Sequence, residues 1–190
     1  MPRRQIRQFT ARFQPAIDRV TGSPAIRRYA PALTEPDLWH LNRRSTARAV
    51  AIGLFCGLIP GPFQIPAALA ACLFLRANLP LSIVSTFYTN PLTIVPLYLL
   101  AYRYGAFVMH ETAPLRPGAT TFAPPPDASL VETLRALVDW MIGLGPPLAV
   151  GLFLLATTLA VAGWIAVHVA WRAVTVHAWR RRARLRTRGA

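Results

Sequence analysis

Three stretches of this chain, Ala49 to Leu75, Ala77 to Tyr102 and Trp140 to Trp171, contain no aspartate, glutamate, arginine or lysine. Each is longer than the roughly 20 residues that cover a bilayer core about 30 Å thick. A buried helix in a small soluble domain has no such length, and the apolar share of 54% is high for one. The expected class is an all-α membrane protein with three apolar helical segments, 49–75, 77–103 and 148–171.

Charge sets the orientation. The formal net charge is +14 and all 21 basic residues are arginine. Ten of them lie in residues 1–48 and seven in 172–190, whereas the loop 111–139 holds only Arg116 and Arg135 beside Glu111, Asp127, Glu132 and Asp139. The positive-inside rule then predicts a multi-pass membrane protein with both termini cytoplasmic and the loop 111–139 outside. In the basic N-terminal region, 1–38, Ile6, Phe9, Phe13, Ile17 and Val20 recur every three or four residues. They predict an amphipathic helix that lies on an anionic leaflet or packs on a protein neighbour. Arg3, Arg4 and Arg7 there, with Arg180, Arg181 and Arg182 in the Arg-rich tail 172–190, are the candidate contacts to anionic headgroups or a cytoplasmic partner. Nucleic-acid binding is the weaker reading, because the charge flanks apolar segments.

The first two apolar runs are interrupted. Pro60-Gly61-Pro62 and Pro66 break 49–75, and Asn90-Pro91 and Pro96 break 77–103. Proline in a helix interior removes a donor at about 3 kcal/mol. Arg48, Arg76 and Arg103 bracket the two runs at nearly even spacing, so the pair reads as a weak internal repeat of broken-helix units. If all three runs cross, one arginine-rich end faces outward, against the charge rule. A re-entrant hairpin resolves the conflict, and 49–75 is the expected one because its break is the more severe; a kinked crossing is the alternative. Ser45 is the expected cap of the helix that opens this run. The Pro-rich stretch Glu111 to Asp127 predicts a stiff linker, and Leu130 to Trp140 a short helix.

No run carries an acid, so neither a paired-carboxylate site nor a proton relay is expected. His40, His110, His168 and His177 lack metal-ligand spacing, Cys56 and Cys72 form no CxxC, and no phosphate loop or dinucleotide fingerprint occurs. An enzyme, a metal site and a cofactor are therefore not expected. What remains is neutral: Gln64 at the first break, and Asn78, Ser82, Ser85, Thr86, Tyr88, Thr89, Asn90 and Thr93 around the second, of which Gln64, Asn78, Asn90 and Thr93 form the candidate substrate-binding set. Broken helices with amide and hydroxyl side chains build midplane sites in transporters. The competing reading is that these groups satisfy one another and the broken backbone.

Leu38-Trp39-His40-Leu41-Asn42-Arg43-Arg44-Ser45, running into Ala51-Ile52-Gly53-Leu54-Phe55-Cys56-Gly57-Leu58-Ile59-Pro60-Gly61-Pro62-Phe63-Gln64, resembles the signature of the bacterial DUF2062 family. Arg76-Ala77-Asn78-Leu79-Pro80, Thr89-Asn90-Pro91-Leu92-Thr93, Pro96, Tyr98, Ala101-Tyr102 and Gly105 continue it. The likeness spans residues 39–171. It implies a small prokaryotic inner-membrane domain, sometimes attached to glycosyltransferase-type enzymes, with a role beside envelope or glycolipid metabolism. It supplies no catalytic residue. The expected function is a non-enzymatic membrane scaffold or accessory module, with a glycosyltransferase-type or other membrane partner, or a second copy of the chain, beside it. A small transporter or flippase-like protein is the alternative.

Overall fold

The computed structural model describes residues 35–90, 92–110 and 129–187, together with positions 18, 22, 24, 28 and 33. Arg3, Arg4 and Arg7, most of the amphipathic helix expected from Ile6 to Val20, Pro91, and the linker 111–128 lie outside the described residues. Among the described residues every regular element is helical: α1 Arg43–Cys56, α2 Gln64–Leu75, α3 Leu79–Thr86, α4 Ile94–Val108, α5 Leu130–Leu144 and α6 Pro146–Thr187. Short 3-10 turns occupy Pro36–Leu38 and Gly61–Phe63.

Local chemistry sets the boundaries. The cap of α1 is Asn42 and not Ser45: the Asn42 side chain accepts from the Ser45 backbone N–H at 2.8 Å, so the helix opens at Arg43. Asn78 caps α3 in the same way through Leu81 N–H at 3.0 Å. Arg76 closes α2 in the left-handed conformation, φ 49°. Pro66, Pro80, Pro96 and Pro147 all stand in the first turn of their helices. A first-turn N–H has no intrahelical acceptor, so its loss there avoids the interior penalty. The helix expected from Leu130 to Trp140 runs on to Leu144. Helix α6 is 42 residues long, about 63 Å, and continues past Arg172 into the tail as far as Thr187.

The first apolar run folds back on itself. Helices α1 and α2 pack together, and Arg48, near the start of α1, donates its Nη1–H to the carbonyl of Leu75, the last residue of α2, at 3.0 Å. The mouth of this hairpin is therefore closed by a side chain of one arm on the backbone end of the other. Helix α3 runs parallel to α1, so close that a Cβ at Gly53 would collide with the Ser82 carbonyl and Ser85. Helix α4 leaves the group and packs along α6 instead. Glycine is required at that crossing too, where Gly105 lies on Pro147 and Gly151, and Gly151 on the Ala101 carbonyl. Further along, α6 meets α1, with Gly163 against Val50 and Leu54 and with Phe55 and Phe153 edge to face at 6.1 Å. Both α1 and α4 thus run antiparallel to α6, one beyond the other. The two broken runs are not copies in space: the first returns, the second continues.

Two apolar clusters result. One joins Ile52 and Cys56 of α1 to Ala68 and Cys72 of α2 and to Ala77 and Leu79; the other joins Leu58 to Tyr98 and Ala101, to Leu144, and to Leu148, Leu155 and Ala156. Ala47, Ala49, Ala68, Ala77 and Ala101 are wholly buried, which lets the helix backbones approach closely. Both cysteines are buried as free thiols among them. Among the described residues one stretch, Pro146–His177, is long and apolar enough to cross a membrane, while Gln64–Leu75 and Ile94–Val108 are apolar but shorter.

Candidate functional site at the helix breaks

The end of α1 is a problem in hydrogen bonding. Gly57 to Pro62 leave the helix and Pro60 and Pro62 carry no N–H; Phe55 and Cys56 keep donors in the tightened last turn, while the carbonyls of Leu54, Gly57 and Leu58 take theirs from side chains. Three hydroxyls from the second broken run supply them. Tyr88 donates to the Leu54 carbonyl at 2.7 Å, Thr89 to the Gly57 carbonyl at 2.7 Å, and Tyr98 to the Leu58 carbonyl at 3.1 Å. Tyr98 and Thr89 are buried, so water does not compete for these bonds. The indole of Trp140 stacks on the Tyr98 ring at 6.4 Å and fixes its tilt.

The second break is closed by its own residues. The Asn90 side-chain carbonyl accepts from Leu92 N–H and Thr93 N–H, each at 2.9 Å. Thr93 Oγ1 in turn accepts from Asn90 N–H at 3.0 Å and donates to the Tyr88 carbonyl at 2.8 Å. This reciprocal pair closes the turn that leads into α4, whose own cap position, Thr93, carries no side-chain cap bond. Exposed Asn90 and half-buried Thr93 are thereby engaged with backbone.

Gln64, the first residue of α2, comes within 3.3 Å of Thr89 Oγ1 through its amide oxygen. The Thr89 hydroxyl has one proton and gives it to Gly57 at the shorter distance. The 3.3 Å contact is consequently best made with the Gln64 amide turned, so that its NH2 donates to Thr89 Oγ1. A relay from Gln64 through Thr89 to Gly57 then ties the first arm of the hairpin, the start of the second arm, and the second break.

Of the four candidate residues, the fold brings Gln64, Asn90 and Thr93 to the paired breaks. Asn78 does not join them: it caps α3 at the opposite end, about 12 Å of helix away. Of the candidate break residues, Pro60, Gly61 and Pro62 form the tip itself, with Gly61 at φ 71°. Pro66 and Pro96 sit just inside the helices that follow the breaks. Helix α6 carries Arg180, Arg181 and Arg182 beyond the packed region. Tyr88 and Thr89 stand among the polar residues expected around the second break, though outside the candidate binding set, and Tyr98 is not among them. Their signal is a hydroxyl placed in an otherwise apolar run, which must find an acceptor if buried. No group of three or more histidine, cysteine or acidic residues suited to a metal ion occurs among the described residues.

Helix α5 completes the surroundings of the tip. A cleft of about 450 Å³ lies between Pro60, Gly61 and Phe63 on one side and Arg135, Leu137, Val138 and Asp139 of α5 on the other. At the start of α5 a reciprocal cap joins Ser129 and Glu132. The Glu132 carboxylate accepts from Ser129 N–H at 2.7 Å and from its hydroxyl at 2.8 Å, which holds its pKa below the ordinary value.

No curated protein and no solved structure matches the chain. The profile of a family described as an uncharacterized protein conserved in bacteria, DUF2062, matches residues 26–180, reaching past the expected likeness at both ends and into the arginine tail. The hairpin, both breaks and all but the last seven residues of the long final helix fall inside that match, and the chain belongs to the DUF2062 family.

Proposed function

We propose that this chain is a non-enzymatic module of the bacterial inner membrane, a scaffold whose basic ends engage anionic headgroups or a cytoplasmic partner in envelope or glycolipid metabolism. The observation that carries the membrane placement is the exposure of α6. Only 17% of its most apolar stretch is buried, whereas the core helix of a soluble protein is mostly covered. Phe74 and Leu92, each 88% exposed, and Phe107 at 80% are further exposed apolar side chains on α2, the second break and α4. Patches of that extent face lipid or a partner.

In this placement the hairpin mouth at Arg48, Leu75 and Arg76 lies at the inner surface. The tip, about 15 Å further along α1 at Leu58, reaches mid-bilayer. Helices α3 and α4 together make one broken crossing and α6 the second, so both termini stay cytoplasmic. From Pro147 to Gly163, the span over which α6 contacts first α4 and then α1, the rise is about 24 Å, near the hydrocarbon thickness.

Scaffolding is favoured over transport by the way the breaks are satisfied. The oxygens of Asn78, Asn90 and Thr93 are occupied by backbone groups, so a transported molecule would have to displace bonds that hold the fold. The transport alternative predicts solute or lipid movement in liposomes that falls in Gln64→Ala or Asn90→Ala.

The placement is tested with single-cysteine reporters at Arg44, Arg76, Thr120 and Gly189 in a background lacking Cys56 and Cys72. In intact cells, only the reporter at 120 is expected to react with a membrane-impermeant thiol reagent. Labelling at 76 from outside would mean that the first run crosses, and the hairpin placement would be abandoned.

A further inference from the structure

Arg135 and Asp139 stand one turn apart on α5, both exposed, and both line the cleft at the hairpin tip. Among the described residues they make no ion pair with each other or with anything else. Opposite charges at this spacing on an exposed helix ordinarily meet water or one another. Here they border an apolar wall of Pro60, Phe63 and Val138, and Phe63 is 68% exposed, so the wall is open to the side. Resting on the membrane placement above, α5 borders the tip from the outer side, where an ionised group beside an apolar wall gains from a counter-charge that lipid can supply.

We infer that this cleft holds the headgroup of a zwitterionic phospholipid with a primary ammonium, the phosphate on Arg135 and the ammonium on Asp139. Three features select that occupant. The two side chains present one positive and one negative group, roughly 5–6 Å apart at their Cβ atoms, which suits a phosphate and an ammonium joined by two carbons. A guanidinium pairs with phosphate through two N–H bonds, and a carboxylate accepts from a primary ammonium but not from a quaternary one. The apolar wall beside Phe63 gives the acyl chains a route to the lipid-facing surface, and the cleft volume lies within the range of small-molecule sites. An anionic lipid would satisfy Arg135 and leave Asp139 unpaired against it.

The test uses the full-length protein purified in detergent and follows tryptophan fluorescence, to which Trp140 on α5 contributes, during titration with dihexanoyl phosphatidylethanolamine. The phosphatidylglycerol and phosphatidylcholine analogues serve as comparisons. Saturable binding of the ethanolamine lipid is expected, about tenfold tighter than of either analogue. Arg135→Gln and Asp139→Asn should each lose that preference. The double exchange Arg135→Asp with Asp139→Arg should recover it, because both partners remain at the same spacing. Equal binding of all three lipids, or wild-type preference in both single variants, would overturn the assignment and leave an unselective apolar groove. Binding is read in micelles, so its failure is distinct from failure of the hairpin placement, which the cysteine reporters decide separately.

Discussion

Tyr98 is 1% exposed and gives its only hydroxyl proton to the Leu58 carbonyl across 40 positions of sequence. Tyr98→Phe preserves the ring and its stacking on Trp140 but orphans a buried carbonyl, so a loss of about 1–3 kcal/mol is expected. The melting temperature in detergent should fall accordingly; an unchanged value would show that the carbonyl finds another donor. Thr89→Val removes two links of the relay at once and should cost at least as much. Ser82 provides the opposite sign. It is wholly buried, and its hydroxyl faces only the weakly accepting Cys72 sulfur. Ser82→Ala is therefore expected to be neutral or stabilising by about 1 kcal/mol in the same assay.

Among elements, α4 and α6 are joined through Gly105 and Gly151, where a Cβ would strike backbone that cannot move aside. Gly151→Val should separate the two helices at a cost of several kcal/mol, within the range seen for overpacked cores, and should expose them to proteolysis. Helix α5 responds to pH instead. Glu132 has its pKa lowered in the fold by its bonds to Ser129. A depressed carboxylate pKa stabilises above the unfolded value and is lost as pH falls through the folded one. Hydrogen-exchange protection of the first turn of α5 should therefore persist at neutral pH and decline below about pH 4. In Glu132→Gln that dependence should vanish. Helix content and the positions of the breaks were legible in the sequence, because Pro60-Gly61-Pro62 and Asn90-Pro91 interrupt apolar runs too long to remain continuous in any packed form. The role of Asn42 was hidden by Ser45 three residues on, an equally good capping residue. Pro66 and Pro96 read as breaks although they begin helices, since a proline marks a first turn and an interruption alike. That polar groups at the breaks would satisfy the broken backbone was legible, but which donor meets which carbonyl was not, for Tyr88, Thr89 and Tyr98 lie 32 to 40 positions from their acceptors and no local pattern pairs them.

At the scale of the molecule, charge and hydrophobicity are separated along α6, with an exposed apolar stretch followed, in the same helix, by Arg172, Arg180, Arg181, Arg182, Arg184 and Arg186. Replacing Arg180, Arg181 and Arg182 with glutamine should leave membrane insertion intact while weakening retention of the tail on vesicles rich in anionic lipid. Each charge lost near the surface is worth about 1 kcal/mol there. Co-flotation of a soluble tail fusion with such vesicles measures this directly, and undiminished flotation would remove lipid as the partner. The matching of α1 to donors supplied by residues 88–98 also has a consequence for biogenesis. While the chain is being made, the first hairpin emerges with three unanswered carbonyls at its tip, and lipid offers them no donor. In the membrane placement proposed above, it does not settle in the bilayer until Tyr98 has followed it out of the ribosome. The two broken runs are thus obliged to leave the insertion machinery as one unit, and a nascent chain halted before Tyr88 should remain at the membrane surface or within the translocon.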